Sequence, residues 1–376
     1  MILADHINRK RLIETFTELI RINSPSFGER EIGDVLSRKL EAIGCRAEMQ
    51  EYDGSFNLLA YKKGSDRTAP PLILSAHMDT IEPTEGIAFS IDNGLVRTTG
   101  ATVLGADDKS AIAQILEALT VLEEQGIAHG DIEVVFSSGE EKGLFGARNL
   151  DLARLRGRHA LVLDSSGSVG NLVVAAPTHI TYGMQITGKP AHAGIEPEKG
   201  ISAIRAAAEI ISAVPDGRID AETTANIGMI KGGTATNVVP KEVLINGELR
   251  GHNTDAIEGT RKKIFETARA IAEKNHARIN IEEHEEYKAF RIGSENPFLK
   301  YLSGVFRKCS IEPVLVATGG GSDANIFNQR GITAVNISTG MQKVHSTEEY
   351  ISIKDLVNGC LIVLKAGMDF REFSGG

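Results

Sequence analysis

Three short runs that are apolar almost throughout, residues 71–76 (PLILSA), 132–137 (IEVVFS) and 160–163 (ALVL), restrict what this chain can fold into. A strand wet on one face alternates polar and apolar residues. A strand buried on both faces reads as a continuous apolar run. Helical periodicity fills the gaps between the runs. Residues 5–22 and 29–43 read as amphipathic helices, the second closed by Gly44, which suits a left-handed cap. Ile112, Ile115, Leu116, Leu119 and Leu122 form one stripe of a helix between Lys109 and Gln125, ended by Gly126. The alternation predicts an α/β layered domain.

Near Thr178 the pattern changes. Residues 180–187 alternate like a half-exposed strand, 201–214 form an alanine-rich helix, and 225–230 and 243–249 read as two further strands. A long amphipathic helix over 255–273 and an alternating strand over 278–283 complete the order βαββαβ, a ferredoxin-like unit with one sheet face open. Residues 296–307 (helix), 313–317 (strand), 324–329 (helix) and 332–337 (strand) then return to the α/β style. The sequence therefore predicts one α/β domain, residues 1–177 and 289–376, interrupted by a lid of residues 178–288. A length of 376 residues accommodates two domains.

Composition excludes several partners. With 41 basic and 50 acidic side chains the formal charge is −9, so no basic surface recruits nucleic acid or anionic lipid. The three cysteines, Cys45, Cys309 and Cys360, have no paired spacing, which fits neither a disulfide framework nor a thiolate zinc site. Residues 1–11 mix charged and apolar residues without an apolar signal core, and no run approaches the roughly 20 apolar residues of a membrane span. A cytoplasmic protein without membrane partners is expected.

Chemistry-bearing residues cluster at predicted strand ends. His77-Met78-Asp79 follows PLILSA, Glu140-Glu141 follows IEVVFS, Asp164 follows ALVL, and His345 lies beyond the last strand. Asp107-Asp108 stands between Gly105 and a helix start. In open α/β sheets ligands bind at the carboxyl ends of the strands. Each residue alone also has an ordinary explanation: a loop histidine, an aspartate capping a helix, a charged turn, an Asx turn. Together, two histidines and several carboxylates at one sheet edge form a ligand set for zinc-type metals.

The segments SAHMDT, GADDKS, SSGEEKG, VLDSSG and VHSTEE resemble, in order and along essentially the whole chain, the co-catalytic zinc metallopeptidases that include peptidase T, carboxypeptidase G and aminoacylase. GADDKS and GEEKG bring the chain nearest the peptidase T-like branch. Thr339-Gly340-Met341-Gln342-Lys343-Val344, before His345, departs from that branch's pattern and leaves tripeptide specificity open. The resemblance implies two zinc ions per chain, replaceable by cobalt or manganese. One would be held by His77, Asp107 and Asp164, the other by His345, Asp107 and Glu141, with Asp107 bridging. Glu140 would be the general base and Asp79 would orient His77. A cis peptide is implied after the bridging aspartate.

In the lid, His192 would serve the partner subunit's site in a homodimer, and Asn237 and Arg250 would hold the substrate's carbonyl or carboxylate, for which an arginine fork is suited. Gly320, in Gly319-Gly320-Gly321-Ser322-Asp323, lacks a Walker lysine nearby and reads as a backbone cradle for substrate or as a structural turn. The implied activity is a metal-dependent exopeptidase acting on short peptides. An N-acyl-amino-acid amidohydrolase is the alternative hydrolase, and a non-catalytic binding protein is the rival from another class.

Overall fold

The computed structural model describes residues 3–65 and 70–373. It divides into a larger unit, Met1–Val174, Arg291–Ala317 and Ser322–Gly376, and a smaller one, Ala175–Phe290 with Thr318–Gly321. The glycine run that the sequence reading left with the α/β domain thus groups with the smaller unit.

The heart of the larger unit is a parallel group of strands, Ile132–Ser137, Leu72–His77, His159–Ser165 and Thr333–Ser338, in that spatial order. Every residue of the first two is buried, as the apolar runs demand. An antiparallel hairpin, Arg46–Tyr52 and Ser55–Lys62, extends the sheet past Ile132–Ser137. The sequence reading has no strand there, because Arg46, Glu48, Gln50 and Glu51 break the apolar signal. Charge of this kind is usual on an edge strand. The usable signal was Asp53-Gly54, whose φ values of 41° and 79° make the tight turn. Asn93-Gly94 turns a second missed hairpin, Phe89–Asp92 with Leu95–Thr98.

Helices Arg9–Ile20, Ala106–Glu124 and Ile353–Asp369 pack on one another. Asn8 and Ser352 start the outer two by accepting a backbone N–H with their side chains. Residues 106–119 of the middle helix are buried on every side. Its Lys109, wholly buried, donates from Nζ to the Ile22 carbonyl at 2.8 Å.

The smaller unit carries strands Gly217–Arg218, Thr223–Gly232, Glu242–Gly251, Thr178–Thr187 and Arg278–Tyr287 side by side, all antiparallel. Helices Ala203–Ala213 and Thr254–Lys274 join them in the order that the alternation predicts. Tyr182, Met184, Ile186, Ala206, Ile210, Ile245, Leu249 and Ile264 fill its core. Met229, Ile230 and Leu244 are exposed.

Candidate metal centre

Parallel strands place their carboxyl ends together, so residues distant in sequence meet at one edge. His77 is the last residue of its strand, Asp164 stands one residue before the end of His159–Ser165, and the Glu140–Lys142 turn follows Ile132–Ser137. Gly139 and Gly143 bracket that turn with φ of 59° and 87°, a region that favours glycine. At Asp107 the helix Ala106–Glu124 has not yet formed. Asp107 and Asp108 hold non-helical angles and the peptide between them is cis.

The predicted ligands come together in two groups sharing one carboxylate. His77, Asp107 and Asp164 form the first and Asp107, Glu141 and His345 the second, with the donor atoms of each group within 4.8 Å of one another. His77 Nε2 lies 3.0 Å from Asp107 Oδ1 and 3.8 Å from Asp164 Oδ1. His345 Nε2 lies 2.9 Å from Glu141 Oε1 and 3.2 Å from Asp107 Oδ2. Asp107 therefore turns one oxygen to each histidine. Imidazole nitrogen with carboxylate oxygen is a donor set that fits zinc-type divalent cations, and a shared carboxylate fits a pair of them.

Backbone and carboxylate contacts fix these side chains. His77 Nδ1 is 2.9 Å from the Asp79 carbonyl oxygen, nearer than the 3.4 Å to the Asp79 carboxylate. A proton on Nδ1 donated to that carbonyl leaves the Nε2 lone pair for a cation. The Asp79 carboxylate has a second role that the sequence did not reveal: it accepts the N–H of Glu140 at 2.9 Å, the N–H of Glu141 at 3.1 Å and the Ser26 hydroxyl at 2.7 Å.

Glu349 was also missed. Buried, it accepts the N–H of Leu104 at 2.7 Å and of Gly105 at 2.8 Å on one oxygen, and that of Asp107 at 3.0 Å on the other. Its signal was the second glutamate of VHSTEE. Asp323, after the glycine run, is buried and accepts a hydrogen bond from the Ser137 hydroxyl.

Negative charge is crowded here. Burial pushes Glu140 well above the usual carboxylate range, with Asp164, Glu141 and Asp323 adding to the rise and His77 opposing it. Asp164 rises by burial too, with Asp107, Asp108 and Glu141 adding and His77 opposing. Hydrogen bonds to Asp107 and Glu141 push His345 up to about 10. His77 also rises: burial opposes this, but the Asp107 and Asp79 carboxylates outweigh it.

In the smaller unit the strand bridge His192 to Val238 and the hydrogen bond from Ala193 N–H to the Asn237 carbonyl, 2.9 Å, bring the His192 and Asn237 loops together, both residues being exposed. Arg250 is engaged along one edge, Nε to Glu248 Oε1 at 3.1 Å and Nη2 to Glu248 Oε2 at 3.2 Å, while His179 holds the same carboxylate at 3.0 Å. Its Nη1 reaches the Tyr287 hydroxyl and the Gly319 carbonyl, each at 3.4 Å. The Gly320 N–H is taken by the Thr318 hydroxyl at 3.2 Å. The glycine loop thus offers Arg250 a carbonyl. The Gly320 N–H that a backbone cradle would use is already bonded.

Among known proteins, the profile described as Peptidase family M20/M25/M40 matches residues 73–368. The uncharacterised protein YqjE of Bacillus subtilis is 40% identical over 365 residues, 95% of this chain and 98% of its own length. The solved aminopeptidase PepT of Bacillus cereus has 37% identity and a TM-score of 0.89, over 97% of this chain and 99% of its own. A tripeptidase of Staphylococcus aureus has 35% identity and a TM-score of 0.93, again over 97% and 99%.

Proposed function

The chain belongs to peptidase family M20/M25/M40, and we propose that this peptidase is a two-metal exopeptidase acting on short peptides. The observation that carries the reading is Asp107, one oxygen to each of two histidines. Two zinc-type ions, with cobalt or manganese as substitutes, would be held by His77, Asp107 and Asp164 and by His345, Asp107 and Glu141, and when bound would polarise the scissile carbonyl and acidify water. Glu140 takes the proton of the attacking water on a carboxylate oxygen and passes it to the leaving nitrogen. Asp79 aims that base by holding its N–H. The names aminopeptidase and tripeptidase, carried by the two similar structures, favour release of the amino-terminal residue from tripeptides.

Substrate recognition would fall to the smaller unit as a lid. Arg250 takes the terminal carboxylate on its Nη1 side, exchanging two long contacts of 3.4 Å for a charged partner. Asn237 and the Gly320 loop would flank the peptide. His192 would stabilise the developing oxyanion of the partner subunit in a homodimer joined through the lids, the open lid sheet with its exposed Met229 and Leu244 being the apolar surface available. No helix among the described residues is long and apolar enough to cross a membrane.

One panel tests the reading. Zinc-loaded protein is offered di- and tripeptides, their C-terminal amides and N-acetyl amino acids. Free peptides should turn over fastest, and Arg250→Ala should remove the preference for acid over amide, about 1.5–3 kcal/mol for a hydrogen bond to charge. Turnover of N-acetyl amino acids alone would make the protein an amidohydrolase. Mixing inactive His192→Ala with inactive Glu140→Gln subunits should restore activity, and exchange without recovery would refute action across the dimer.

A further inference from the structure

Phe27 stands where turn chemistry asks for a different residue. The Gly28 N–H closes a turn on the Pro25 carbonyl at 2.7 Å, and Phe27, its third residue, has φ of 69°. A positive φ at that position selects glycine or asparagine, and a bulky residue in it is a marked outlier. The ring gains little from the core in return, being 53% exposed. Residues held in such conformations concentrate at functional sites, because surrounding contacts must enforce them.

Those contacts tie the turn to the metal centre. Buried Glu29 uses one oxygen, Oε1, to accept both the Phe27 N–H at 2.9 Å and the Gly139 N–H at 2.8 Å, and Gly139 immediately precedes Glu140. Ser26 donates to the Asp79 carboxylate that holds Glu140 and Glu141. The ring itself lies over Gly139, where an added Cβ would meet it at 2.9 Å, and edge-on to Phe145 at 5.1 Å. An apolar ring, open to solvent, is thus held beside the turn that carries the base.

We propose that Phe27 is a specificity residue: its exposed ring is the apolar wall against which the side chain on the amino-terminal side of the scissile bond packs. The inference rests on the exopeptidase reading, in which Glu140, one residue after Gly139, serves the bond that releases the amino-terminal residue. The substrate class is then short peptides with a bulky apolar first residue.

The experiment measures kcat/KM of full-length zinc-loaded protein on Leu-Gly-Gly, Gly-Leu-Gly and Gly-Gly-Gly. Phe27→Ala should lower the rate on Leu-Gly-Gly about tenfold more than on Gly-Gly-Gly, the low end of what an apolar pocket contact discriminates, and Phe27→Leu should recover part of the difference. Phe27→Gly, which relieves the left-handed strain, should melt no lower than Phe27→Ala while showing the same lost preference. Equal losses on all three peptides would overturn the proposal and leave the ring as support for the Gly139 turn. A shift confined to Gly-Leu-Gly would overturn it as well. Wild-type protein inactive on every free peptide would overturn the exopeptidase reading and the proposal with it.

Discussion

Each unit holds a cluster of charged side chains, and the two are balanced in opposite ways. In the larger unit Asp79, Asp107, Asp108, Glu140, Glu141, Asp164 and Asp323 crowd around two imidazoles, His77 and His345. Burial first, and then the excess of negative charge over the cluster's own bases, makes Glu140 and Asp164 hold protons far more tightly than carboxylates usually do. In the smaller unit a single carboxylate, Glu248, lies between His179 and Arg250. His179 chiefly, with Arg250 adding and burial opposing, holds it down at about 2. One cluster is complete with its own side chains. The other would become so with added positive charge, which is the balance expected of a candidate metal centre rather than of an ion-pair network.

Stripping metal should separate the two clusters most sharply. Dialysis against a strong chelator should abolish peptide hydrolysis and added zinc should restore it, with two equivalents bound per chain by metal analysis. An undiminished rate in metal-free protein would break the comparison.

The next largest effect belongs to Glu140→Gln. The amide keeps the shape but cannot accept a proton, so kcat should fall about 10²–10⁴-fold while both metals stay bound. Metal analysis and steady-state kinetics on one preparation would check this, and near wild-type kcat would place the base elsewhere.

Glu349 sharpens the comparison because it holds the centre through backbone N–H groups. Its three backbone hydrogen bonds fix the loop that presents Asp107, so Glu349→Gln should weaken zinc binding about 10–100-fold, the usual cost of losing a group that orients a ligand. Competition with a chromophoric chelator measures it. Unchanged affinity would make Glu349 a fold residue only.

The smallest effect tests the lid cluster. Glu248 has a folded-state pKa depressed from 4.5 to about 2, so its stabilisation is present above pH 4.5 and is lost as pH falls from there toward 2. The stability gap between wild type and Glu248→Gln in urea should narrow on acidification from pH 6 to pH 3. Partial exposure and screening reduce the expected change to about 1 kcal/mol. Parallel pH curves would show that the lid cluster is not held together by this charge.

The central strands were legible because burial on both faces leaves a continuous apolar run; that they run parallel is what the folded sheet shows. Their order along the chain also placed His77, Glu140, Asp164 and His345 at one edge. The hairpin Arg46–Tyr52 with Ser55–Lys62 was not legible from hydrophobicity, since an edge strand carries charge, and only Asp53-Gly54 betrayed it. Motif order supplied the donor residues, and two ligand groups sharing Asp107 are what the folded chain brings together.

What the sequence by itself determined is chemical type: which side chains are present and which strand end or loop each follows. Only the tertiary structure decided who holds whom. Asp79 reaches the backbone of Glu140 and Glu141, Glu349 reaches back across more than 240 positions to Asp107, and Glu29 joins Phe27 to Gly139. Such bonds join segments that become neighbours only once the sheet has formed, and a carboxylate accepting a backbone N–H demands no particular residue type from its donor. It therefore leaves no pattern of residue types in the sequence to read.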